Sequence, residues 1–91
     1  MTPRNILAHE LIGLEVEIAD ASDPRLIGKR GTVIDETKNT FKVKTDRGVK
    51  IIPKRGVTFI FKTPGHGKIK VLGDKLLYTP EKRLAKYGRW L

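Results

Sequence analysis

The first candidates for acid, base or nucleophilic chemistry in this 91-residue chain are its ten carboxylates, two histidines and one serine. Their spacing builds little. Glu15 and Glu17 share one face of an alternating stretch, the pattern of a solvated strand face rather than of an acid–base pair. Asp35-Glu36 falls at an expected turn. His9 and His66 are far apart and neither has a companion at metal-ligand spacing, so no metal site is expected. Ser22 has no histidine nearby to act as its base. With no cysteine there is no thiol nucleophile, no disulfide and no cysteine zinc site. No catalytic residue is assigned to the chain acting alone, and no cofactor is expected on it.

The cations are a different matter. Lysine and arginine number 19 against 10 acids, a net charge of +9, and a small domain this basic repels itself unless it sits on a polyanion. Lys29-Arg30, Lys38-Asn39, Lys42 and Lys44, Lys54-Arg55, and Lys62, His66, Lys68 and Lys70 cluster at turns and along strands. Such groups grip phosphates, fixing position and supplying affinity without reading bases. Phe41, Phe59 and Phe61 each sit in an apolar alternation and read as core. That argues against a single-strand binder built on base stacking and for recognition of structured RNA by shape and backbone.

The elements that must position these groups centre on residues 28–54. Thr32-Val33-Ile34 is β-branched throughout. Phe41-Lys42-Val43-Lys44-Thr45 alternates with period two, and Val49-Lys50-Ile51 repeats the alternation, with the two aliphatic residues expected on the apolar face. Turns rich in Asp, Asn and Gly separate them. Leu14-Glu15-Val16-Glu17-Ile18 precedes this meander, Val57-Thr58-Phe59-Ile60-Phe61 and Ile69-Lys70-Val71-Leu72 follow it, and Leu76-Leu77-Tyr78 could add a short edge strand. Thr2-Pro3 opens a two-turn helix that Gly13 ends, placing Ile6, Leu7 and Leu11 near one face with His9 beside them. Thr79-Pro80-Glu81 opens a second helix, as N-cap and first-turn proline. The fold expected is mostly β: a small six-stranded antiparallel barrel with short N- and C-terminal helices. One domain covers residues 1–91: a helical segment at 1–13, the barrel at 14–78, and a helix and tail at 79–91.

Charge is unevenly placed. Residues 1–23 hold Arg4 against five acids, whereas the remainder holds eighteen basic residues against five acids. The split predicts a basic RNA face and a less basic N-terminal edge free for another partner. No apolar run reaches membrane-spanning length and no signal-peptide core is present, so a cytoplasmic protein with no membrane partner is expected. Absent glutamine, scarce asparagine and abundant Lys, Arg and Glu point to a hot-living source.

Leu11-Ile12-Gly13-Leu14, the run from Gly28 to Asp35-Glu36-Thr37, Asn39-Thr40, Ile52-Pro53-Lys54, Phe59-Ile60-Phe61, Gly73 and Pro80-Glu81-Lys82-Arg83 share one ordered pattern. In that order they resemble the archaeal and eukaryal ribonuclease P protein component 1 family over nearly the whole chain. The resemblance implies an Sm-like barrel and membership of the ribonucleoprotein that removes 5′ leaders from precursor tRNA. In that family the RNA subunit performs the hydrolysis with bound metal ions, and the protein supports it. The implied partners are the ribonuclease P RNA, a zinc-ribbon protein subunit and, indirectly, precursor tRNA. The N-terminal segment, with Ile6, Leu7, His9 and Leu11, is the expected contact for the protein partner. RNA contact is carried over onto Lys29, Arg30, Lys38, Asn39, Lys54 and Arg83, to which the cation pattern adds Arg55, Lys62 and Lys68. Gly28-Lys29-Arg30-Gly31-Thr32-Val33 also resembles the turn of KOW-type proteins, so the alternative is a ribosomal or elongation-factor-like RNA binder with an SH3-like barrel.

Overall fold

A computed structural model describes residues 6–88. Six antiparallel strands, β1 (Glu15–Ala21), β2 (Arg30–Glu36), β3 (Thr40–Thr45), β4 (Gly48–Pro53), β5 (Val57–Thr63) and β6 (Gly67–Leu72), form one sheet in the order β4-β3-β2-β1-β5-β6. The helix α1 (Pro80–Gly88) follows, and 3-10 turns occupy Ile6–Ala8, Pro24–Leu26 and Gly73–Leu76. The mostly β fold read from the sequence is the one observed.

The sheet is rolled. Phe41 on β3 and Phe59 on β5 are three strand steps apart, about 14 Å across a flat sheet. Their ring centroids nevertheless lie 5.2 Å apart, edge to face. Bulges let the strands bend that far: register slips between Ile18 and Asp20 on β1 and between Val33 and Asp35 on β2. Phe41, Phe59 and Phe61 fill the centre with Val16, Ile18, Val33, Val43, Ile52, Val57, Ile69 and Val71, so the aromatics are core as expected. β4 and β6 remain the two edges, not paired with one another.

Two local expectations change. Residues 76–78 are not a strand; a 3-10 turn at Gly73–Leu76 buries Leu76. A Cβ on Gly73 would overlap the Lys54 carbonyl oxygen, so only glycine lets this turn lie against the β4–β5 turn. On β4 the faces are reversed. Ile52 is buried opposite Phe41, while Val49 and Ile51 are exposed and Lys50 faces inward opposite Val43. The Ile51-Ile52 doublet fits either face, and a one-residue choice of register exchanges them all. Phe41 decides it by packing against the second isoleucine.

The start of the N-terminal helix expected from Thr2-Pro3 lies outside the described residues, and the described part of that segment is helical only in the turn at Ile6–Ala8. The second expectation holds: Thr79 Oγ1 accepts from the Lys82 N–H at 3.3 Å, and Pro80 is the first helical residue.

Candidate nucleic-acid interface

The deepest polar site lies where α1 meets the sheet. Glu36, at the end of β2, sits between Lys54 and Arg83, and all three side chains are sealed from solvent. Arg83 grips the carboxylate in a two-pronged fork, Nη2 donating to Oε1 at 2.9 Å and Nε to Oε2 at 3.3 Å. Its Nη1 donates to the Leu7 and His9 carbonyl oxygens at 2.8 and 2.7 Å. Lys54 Nζ uses all three donors: Glu36 Oε2 at 2.7 Å and the carbonyl oxygens of Thr37 and Tyr78 at 2.7 and 3.0 Å. It also lies 4.8 Å from the centre of the Phe41 ring. Burial pushes the Lys54 ammonium below the usual lysine range, and the bonded Glu36 carboxylate opposes that push. No buried side-chain nitrogen or oxygen among the described residues lacks a partner.

This site corrects part of the predicted RNA surface. Lys54 and Arg83 were expected to face RNA. Both are fully buried, and their donors are committed to Glu36 and to backbone carbonyls, so in this fold neither offers a free cation to a phosphate. The predicted partner surface changes for the same kind of reason. Ile6 and Leu11 are buried in the chain's own core, whereas Leu7 and His9 stay half-buried and Ile12 is exposed.

The other predicted RNA-contact residues lie at turns and along strands, in two groups. At one end Lys38 and Asn39 in the β2–β3 turn neighbour Arg55 in the β4–β5 turn; the Lys54 N–H donates to the Asn39 carbonyl oxygen at 2.8 Å and holds the turns together. The second group gathers Arg30, Lys62 and Lys68 around a concavity of about 390 Å³ that also holds Glu15, Glu17 and Asp46. Lys62 lies 3.7 Å from Glu15 there, an exposed pair. Lys29 stands next to Arg30 in a smaller neighbouring concavity, with Arg47 and Lys50. Lys42 and Lys44 line the exposed face of β3 between the edge strand and β2.

Sequence reasoning missed three residues. Glu36 passed for a turn acid, because nothing near it in the chain announces partners 18 and 47 residues away. Arg47 sits in the turn after β3, and the β2–β3 pairing, with Thr32 opposite Lys44, brings that turn beside Lys29. Lys50 was assigned to the outer face, and the doublet at Ile51-Ile52 was the one signal that the opposite register was open.

Fold and site together define a small, strongly basic antiparallel roll, braced by a buried ion network and carrying its accessible cations on turns and strands. The chain belongs to the family described as ribonuclease P/MRP, subunit p29, whose model matches residues 4–86. It is 47% identical over 87 residues to the ribonuclease P protein component 1 of Methanocaldococcus jannaschii, covering 94% of this chain and 90% of that one. To its counterpart in Methanothermobacter thermautotrophicus it is 42% identical over 90 residues, covering 98% and 97%. Among solved structures it resembles Mth11, described as a homologue of the human RNase P protein Rpp29, with a TM-score of 0.60 and 39% identity over 82% of this chain and 97% of that one.

Proposed function

We propose that the chain is a non-catalytic, RNA-binding protein subunit of ribonuclease P, supporting an RNA that removes 5′ leaders from precursor tRNA. The observation that carries this reading is the p29 family match across residues 4–86, which also favours it over a ribosomal role. The charge supports it: +9 overall, with exposed cations on the turns and strands of the roll. Glu36, the one buried carboxylate among the described residues, is already bound by two cations and so is not free for acid–base work. A zinc-ribbon subunit of the same complex is proposed as protein partner, docking on the N-terminal segment, where Leu7, His9 and Ile12 keep accessible surface.

Reconstitution tests the proposal. The chain freed of RNA should leave precursor tRNA intact with magnesium present. Added to the ribonuclease P RNA with its protein partner, it should raise 5′ cleavage. Cleavage by the RNA-free chain, or a reconstituted complex indifferent to its omission, would overturn the assignment.

A further inference from the structure

Between the β1–β2 loop and the β3–β4 turn lies a concavity of about 230 Å³ lined by Lys29, Arg30, Arg47 and Lys50, with a single acid, Asp46. Backbone bonds hold its walls. Gly28, at a φ of +87° open to glycine, donates to the Ile18 carbonyl oxygen at 2.9 Å, and the Ile18 N–H returns a bond to the Lys29 carbonyl oxygen at 2.8 Å. Across the gap Thr45 Oγ1 accepts from the Arg47 N–H at 3.1 Å and donates to the Gly48 carbonyl oxygen at 2.8 Å. Lys50 arrives from the inward face of edge strand β4. None of the four cations enters an ion pair among the described residues. Elsewhere Arg25 is paired with Asp23, Lys62 with Glu15, and Lys54 and Arg83 with Glu36.

Gathering four cations around one acid raises the energy of the folded chain through like-charge repulsion, which a bound anion relieves. The space is smaller than the roughly 300 Å³ at which small-molecule pockets begin, and its lining is charged rather than apolar. Arginine and lysine together suit a phosphate, the first by its fork of donors and the second as a compact charge. Arg30 also lines the adjoining concavity that holds Lys62 and Lys68, so a polyanion leaving the first site meets further cations.

We propose that this concavity is a cradle for the phosphodiester backbone of the RNA partner, with Arg47 and Lys50 closing it opposite Lys29 and Arg30. The proposal rests on the RNA-binding reading above and names the place where that binding is anchored. The test compares Arg47→Ala/Lys50→Gln with a charge-matched control, Lys75→Gln/Lys82→Gln, on the exposed 3-10 turn and helix α1. Affinity for the ribonuclease P RNA is measured across a salt series. The cradle variant should lose about tenfold or more in affinity, and its slope of log K against log salt should flatten by about two phosphate contacts; the control should change far less. Inorganic phosphate titrated against isotope-labelled wild-type chain should shift the amides of residues 28–30 and 45–50, and fail to do so in the cradle variant. Equal losses in the two variants, no loss in the cradle variant, or phosphate shifts spread over the whole chain would each overturn the cradle while leaving RNA binding intact. A wild-type chain that binds no RNA would remove the reading beneath it and the cradle together.

Discussion

Glu36 holds two cations where no water reaches, and its removal leaves both without a counter-charge. Breaking a buried ion network on one side costs about 3–5 kcal/mol, far more than an exposed pair is worth. Glu36→Ala should lower unfolding free energy by that order in urea titrations. A Glu36→Ala chain as stable as the wild type would show that the network is not sealed. Lys54 adds a pH signature. Its folded pKa is depressed by burial, so between that lowered value and 10.5 the unfolded chain binds more protons. Stability therefore rises with pH across this window. Loss of charge on other lysines also relieves repulsion there, so the reference is Lys54→Met, whose stability should climb less as pH rises toward 10.5. Parallel curves would mean that Lys54 titrates as an ordinary surface lysine. None of this was legible locally. The family resemblance marks Lys54 and Arg83 as RNA contacts and charge counting adds its weight at Lys54, because neither sees that Glu36 and backbone carbonyls take up their donors.

At the scale of elements, the strands were readable where one residue decides the face. Phe41-Lys42-Val43-Lys44 gives a single register, and the structure follows it with Phe41 and Val43 buried. Ile51-Ile52 gives two, and tertiary packing chose. The helix start at Thr79-Pro80 was readable because cap and proline act within one turn. The docking of α1 was not, since it depends on Arg83 reaching Leu7 and His9, more than seventy residues away. That clamp ties the N-terminal segment to the C-terminal helix, so the segment should loosen when the guanidinium goes. Arg83→Met should speed amide exchange at His9, which donates to Ile6, and at Leu14, which donates to Leu11, relative to Phe59 in the core. Unchanged protection at those amides would show that burial of Ile6 and Leu11 suffices to hold the segment. Gly73→Ala tests the neighbouring contact. Its added methyl must displace the Lys54 backbone, so the β4–β5 turn should shift and stability fall by about 1–3 kcal/mol in thermal or urea unfolding.

Across the whole molecule the same charges act with opposite signs on folding and on binding. The chain carries nineteen cations against ten acids, and its fold has a radius of gyration of 12.1 Å, so the folded chain repels itself more than the expanded one does. The buried network does not relieve this, for its one carboxylate faces two cations and leaves a net positive charge inside. Salt shortens the reach of the repulsion, from about 14 Å at 50 mM to about 4 Å at 500 mM. Thermal stability of the free chain should therefore rise over that range, while affinity for RNA falls as displaced counterions lose their entropic advantage. Both are measured on one preparation, by a melting curve and a binding titration at each salt concentration. RNA itself should raise the melting temperature most where salt raises it least, at the low end. Stability that falls with salt would mean that attractive pairs outweigh the repulsion. The accessible cations would then be occupied by the chain's own acids and unable to serve as its RNA-binding surface.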